Sequence, residues 1–121
     1  MSERSLKMSH NQCIFCKIAS GELQSEILYQ DEKFLVIRDV NPVAPVHLLI
    51  IPKGHIESLN AVNDFAEVGE MLKLAVTFAR EFNIDKAGYR VVINTGDAGG
   101  QSVKHLHIHL LGERNLGWPP G

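Results

Sequence analysis

Residues 105–111, HLHIHLL, place histidine at every second position with aliphatic residues between. No other stretch restricts the chain so tightly, because the alternation fits only one backbone period. In a β-strand successive side chains point to opposite faces, so His105, His107 and His109 share one face while Leu106, Ile108 and Leu110 fill the other. A helix would scatter them. Along a strand the outer two histidines stand on the order of 13 Å apart, too far to bind one ion whose nitrogen ligands lie at about 2.0–2.1 Å. The row must therefore divide its duties. A strand face that only met solvent would more usually carry Thr, Lys or Glu.

The rest of the chain reads as one domain around that strand. At 121 residues and 45% hydrophobic content it suits a single core. Residues 1–11 lack periodicity and read as a flexible polar tail that includes His10, leaving 12–121 as the domain. CIFCKIASGE predicts a short helix stopped at Gly21, and EILYQ, FLVIRD and HLLIIP predict three strands, the last ended by Pro52. Phe65, Val68, Leu72, Ala75, Val76, Ala79 and Phe82 mark the stripe of a long helix from about Asp64, its cap, to Asn83. YRVVINT is a fourth strand, GDAGGQS a glycine-rich loop and VKHLHIHLL the fifth strand, while the closing GWPPG is irregular. Short strands in hairpin order beside one long helix give an α+β fold with a mostly antiparallel, five-stranded sheet, one long helix and one short.

The net charge of -2 argues against a broad nucleic-acid surface. There is no membrane-length apolar run, and the polar start lacks a signal core, so the expectation is a cytoplasmic protein. Two cysteines, Cys13 and Cys16, make no disulfide framework. If HLLIIP lies beside the histidine strand, His47 and His55 face the row from its two ends. Cys13, Cys16, His55 and His105 then make a Cys2His2 set suited to structural zinc, and His47, His107 and His109 remain for catalysis. C-x2-C pairs also occur as buried cysteines or redox motifs. Gly96, Gly99 and Gly100, with Asn94, Gln101 and Ser102, form a loop that is either a turn or a phosphate cradle, although it lacks the P-loop pattern. Beside three imidazoles, such a cradle fits phosphoryl or nucleotidyl transfer.

HLHIHLL also matches the His-φ-His-φ-His-φ-φ signature, φ being apolar, of the histidine triad (HIT) superfamily. With IFCKI, ILYQDEKFLVIRDVNPVAPVHLLIIPKGHI, GYRVVINTGDAGGQSVKHLHIHLLG and WPPG, residues 12–121 resemble its nucleotide-binding Hint branch. The resemblance implies a HIT-like fold whose sheet extends across a homodimer, a purine nucleoside monophosphate such as AMP as ligand, and hydrolysis of nucleoside phosphoramidates with no cofactor in catalysis. It implies that His107 attacks the α-phosphorus, that His109 and His47 flank the phosphate, and that the His105 carbonyl fixes the His107 tautomer. Asn94, Gly100, Gln101 and Ser102 match the phosphate-binding stretch, with Ser102 a donor toward the leaving nitrogen. Asp39 matches the ribose carboxylate, Ile18 and Ile37 would sandwich the base, and Trp118 would reach the partner's pocket. Members with the second cysteine and a histidine at the position of His55 bind zinc, here through Cys13, Cys16, His55 and His105.

Lys104 stands where Hint relatives often carry an aromatic residue and where the dinucleoside polyphosphate hydrolase branch can carry lysine. Cleavage of dinucleoside polyphosphates is therefore the first alternative, and a non-catalytic nucleotide-binding regulator the second. A cupin-type oxygenase would need the glycine of GGQSVKH and Glu113 counted from one H-x-H pair, and they begin from different histidines.

Overall fold

Two largely apolar runs, FLVIR and VHLLIIP, set the centre of the fold, because a strand with apolar residues on both of its faces must be covered on both. The computed structural model describes residues 12–121; the expected tail with His10 lies outside the described residues. Strand β3, Val46–Pro52, is buried at all seven positions. On one side it pairs with β2, Phe34–Arg38, with Leu35 opposite Ile51 and Ile37 opposite Leu49. On the other it pairs with β5, Ile108–Gly112, with Leu49 opposite His109. β1, Ile27–Gln30, and β4, Tyr89–Val92, complete the order β1-β2-β3-β5-β4, and every pair is antiparallel. The α+β class and the five strands agree with the sequence.

Side-chain alternation then builds a different layer on each face. Val36, Leu48, Ile50, Ile108 and Leu110 point to one face and pack with helix α2, Ala66–Glu81, through Val68, Met71, Ala75, Phe78 and Ala79. Removing each large apolar side chain from water contributes about 1.5–3 kcal/mol, which makes this layer the main source of stability. Leu35, Ile37, Leu49 and Ile51 point to the other face and pack with Cys13, Phe15 and Ile18 around helix α1, Ile14–Ser20. α1 ends at Gly21, whose φ of 85° is the left-handed conformation that glycine adopts without strain. Among the described residues no helix is long and apolar enough to cross a membrane.

Three expectations need correction. The buried stripe of α2 keeps Val68, Ala75 and Ala79 but adds Met71 and Phe78, while Phe65 and Leu72 are exposed; the stripe is rotated by about 50°, half a residue step, from the face the sequence suggested. β4 stops at Val92 rather than Thr95. β5 begins at Ile108, so residues 103–107 lie outside the ladder. Pro52, which would meet this part of the chain, has no N–H to donate, and the Leu106 N–H bonds to the Ile56 carbonyl instead. Asp64 does cap α2, its carboxylate accepting from the Ala66 N–H at 3.0 Å, and Asn83 ends it with a φ of 58°.

Candidate functional site

The sheet face beneath α1 carries the histidines, because His47 and His109 fall on the same side of the pleat as Leu49 and Ile51. In the β3–β5 register His47 lies opposite Leu111 and His109 opposite Leu49, which makes the two histidines diagonal neighbours. Their rings meet, Nε2 of His47 lying 2.9 Å from Nδ1 of His109. His47 Nδ1 accepts from the Val43 N–H at 3.1 Å, so its own proton sits on Nε2 and is donated to His109. His109 therefore carries its proton on Nε2. Asp39 adds a carboxylate oxygen 3.3 Å from His47 Nε2, a second acceptor for the same N–H.

His107 is oriented by a different bond. Its Nδ1 lies 2.7 Å from the His105 carbonyl, an acceptor only, so Nδ1 bears the proton and Nε2 keeps its lone pair. Burial pushes all three imidazoles below their ordinary range. For His107 the bond to His105 and the Asp39 charge oppose this shift, and for His47 the Asp39 charge opposes it while His107 adds to it. His109 is driven furthest, to about 4, by burial and then by repulsion from His107 and His47. At neutral pH the three imidazoles are uncharged, so the His47–Asp39 contact is a hydrogen bond from a neutral ring to a carboxylate rather than an ion pair.

These groups close one end of a cleft of about 430 Å³. Phe15, Ile18, Ile37 and Leu49 give it apolar walls, Asp39 and Asn41 a polar rim, and Ser102, His107 and His109 a further polar set. Apolar walls with a few convergent polar groups suit a flat, partly polar ligand. The structure thus brings together Ile18, Ile37, Asp39, Ser102, His107 and His109, with His47 directly behind His109.

Asn94, Gly100 and Gln101 do not line this cleft. Gln101 is buried, its amide tied to Glu57 and Val103 carbonyls and to the Gly96 N–H, and the Gly100 and Gln101 N–H groups bond within the loop to Asp97 and Gly96. The Gly96, Gly100 and Gln101 N–H groups are thus taken up within the loop, which presents Ser102 to the cleft. Trp118 is 83% exposed and stands outside the cleft of its own chain. Sequence reasoning missed Phe15 and Leu49. The available signals were the i, i+3 spacing of Phe15 with Ile18 and the alternation of Leu49 with His47. Glu113, needed for the oxygenase alternative, is exposed at a left-handed turn on an open sheet.

The second cluster lies beneath the start of α1. The ligand atoms of Cys13, Cys16, His55 and His105 all fall within 4.8 Å of one another. Sulfur-to-nitrogen separations are 3.2 Å for Cys13–His105, 3.3 Å for Cys16–His55 and 3.5 Å for Cys16–His105. A tetrahedral zinc with Zn–S of about 2.3 Å and Zn–N of about 2.0–2.1 Å has edges of about 3.6 Å, so the donor set fits that ion. His105 Nε2 donates to the Pro52 carbonyl at 2.7 Å, which turns Nδ1 toward the sulfurs as second-sphere partners of metal-binding histidines do. Without a cation, burial and the neighbouring Cys13 hold the Cys16 thiol up at about 12; a cation in the set would invert that preference. Asp39, His47 and His109 also converge, but their facing atoms already satisfy one another by hydrogen bonding.

A family model described as HIT domain matches residues 20–116. The crystal structure of a HIT family hydrolase from Legionella pneumophila Philadelphia 1 is 46% identical with a TM-score of 0.88, covering 91% of this chain and 100% of that one. A 14 kDa zinc-binding protein of Zea mays is 44% identical over 119 residues, 95% of this chain and 92% of the relative. A Zn-bound histidine triad family protein from Mycobacterium smegmatis is 34% identical with a TM-score of 0.78, covering 93% of this chain and 81% of that one.

Proposed function

This chain belongs to the HIT domain family, and on that premise we propose that it is a hydrolase of purine nucleoside phosphoramidates, working through a nucleotidyl-histidine at His107. The observation that carries this reading is the 2.7 Å bond from His107 Nδ1 to the His105 carbonyl, which leaves an unprotonated Nε2 on a residue lining the cleft. Depression of the His107 pKa by burial keeps that lone pair available at neutral pH.

In the first step His107 Nε2 attacks the α-phosphorus, the bond from phosphorus to the leaving nitrogen breaks, and the amine departs with a proton. Two donors stand at the reactive end: the Ser102 hydroxyl and the His109 Nε2–H, whose tautomer is set by His47. In the second step water attacks phosphorus and gives its proton to the site, the bond from phosphorus to Nε2 breaks, and the nucleoside monophosphate leaves. Asp39 at the rim would accept from ribose hydroxyls once its contact with His47 is given up, and Ile18 and Ile37 would flank the base; their place in the cleft lining supports this. Zinc held by Cys13, Cys16, His55 and His105 would be structural, joining α1 to the segment before β5. The names of the maize and Mycobacterium relatives support that assignment. Neither cysteine is in a disulfide, which suits the cytoplasm. The assembly is a homodimer with Trp118 completing the partner's cleft.

Mass spectrometry of protein quenched during turnover of an adenosine phosphoramidate tests the mechanism. The expected result is a gain of one nucleotidyl group, absent in His107→Ala, which still binds the monophosphate. A wild-type protein that hydrolyses without ever carrying the adduct would overturn it. His107→Ala that retains hydrolysis would do the same, and binding without hydrolysis by the wild type would leave the regulator reading. The lysine at 104, the residue type that the dinucleoside polyphosphate hydrolase branch can carry at that position, gives the second reading, a dinucleoside polyphosphate substrate. Faster turnover of that substrate would establish it.

A further inference from the structure

We infer that Phe15 and the His105 carbonyl are positioning groups that tie the orientation of His107 to the Cys13–Cys16–His55–His105 set; this rests on the hydrolytic reading of His107. The two clusters are not independent neighbours. His105 belongs to both: its Nδ1 faces Cys13 at 3.2 Å, its Nε2 is held by Pro52 at 2.7 Å, and its carbonyl accepts from His107 at 2.7 Å. Any rotation of the 105 peptide that moves the ring moves the acceptor that fixes the His107 tautomer. Because residues 103–107 are outside the sheet ladder, that peptide is held through its N–H by one bond, from Leu106 to the Ile56 carbonyl, rather than by a run of strand pairs.

Phe15 supplies a second connection. It lies between Cys13 and Cys16 in the chain, and its ring stands edge-on to His105 at 5.7 Å and to His107 at 5.0 Å between centroids. Buried and lining the cleft, Phe15 is a wall against which the His107 ring rests. The first turn of α1 is stabilised by the Cys13 sulfur accepting from the Cys16 N–H, so a sulfur of the same set helps to locate Phe15. When the four ligands are drawn together on a cation, the carbonyl below His107 and the ring beside it are both fixed. When they are not, both gain freedom, and a nucleophile displaced by about 1 Å can lose about 100-fold in rate while the cleft still admits its ligand.

The test uses full-length protein with 15N-labelled histidine, loaded with zinc and then stripped by a chelator. Long-range proton–nitrogen spectra read the tautomer of His107, and steady-state kinetics with an adenosine phosphoramidate are measured on the same samples. The expected result is a single Nδ1–H tautomer with zinc and a mixture without it. Stripping should lower kcat at least about tenfold, change KM no more than about threefold, and be reversed by zinc. Phe15→Leu, carrying a full equivalent of zinc and showing an unchanged circular dichroism spectrum, should reproduce the loss in kcat with near-normal binding of the monophosphate. That variant keeps the test decisive if the stripped protein unfolds. An unchanged His107 spectrum and kcat on stripping would overturn the inference, as would failure to bind zinc or a Phe15→Leu protein with wild-type kcat. A zinc-dependent tautomer in a protein that hydrolyses nothing would uphold the coupling and sink only the hydrolytic reading.

Discussion

At the scale of the residue, neighbours decide what each histidine is. Six histidines are chemically identical in the sequence, yet one hydrogen bond each gives His47, His107 and His109 different jobs: donor to another ring, lone-pair carrier, and donor toward the cleft. Burial of these rings has a measurable consequence. His109 titrates at about 4 in the folded protein against 6.5 for an unperturbed ring, so between those values the unfolded chain binds more protons than the folded one. Its contribution is present above about pH 6.5 and is lost as the pH falls toward about 4. In urea titrations His109→Gln should flatten that decline by on the order of 1–2 kcal/mol, discounted because the ring is partly open to solvent. An equally steep decline in the variant would mean that other groups carry the acid sensitivity.

At the scale of the element, two glycines with opposite demands make a paired prediction. Gly69 lies exposed inside α2 with open space where a Cβ would stand, so its only effect is the entropy it adds to the unfolded chain. Gly69→Ala should stabilise the protein by about 0.5–1 kcal/mol in thermal or urea unfolding. Gly99 sits in the loop before Ser102, where a Cβ would collide with the Thr95 carbonyl. Gly99→Ala should shift the loop and weaken nucleoside monophosphate binding about threefold to tenfold, read by calorimetry, with the fold retained; unchanged affinity would show that the loop does not place Ser102. The elements were legible where hydrophobic period and punctuation agreed, as in HLLIIP before Pro52 and α1 before Gly21. They were not where pairing decided. HLHIH has a strand's alternation, yet only its end at Ile108 finds backbone partners in β3.

At the scale of the whole molecule, the sheet order leaves β1 and β4 as edges, and Trp118 projects into solvent. A strand edge and an exposed indole beside each other in the last third of the chain suit an assembly in which a partner covers both. Sedimentation should report a dimer. Mixing His107→Ala with Trp118→Ala protein, each impaired alone, should restore activity, because the hybrid has one cleft with its own His107 and the partner's Trp118. Mixtures that stay as inactive as their components would place Trp118 outside the partner's site.

The sequence by itself determined the fold class and the grouping of Cys13, Cys16, His55 and His105, because alternation and ligand chemistry are local properties of residue types. The tertiary structure alone decided that Gln101 serves the loop, that Asp39 touches His47, that Phe15 backs His107, and that the strand starts at Ile108. Those are contacts between segments distant in the chain, and they depend on which donors and acceptors the packed sheet has already paired.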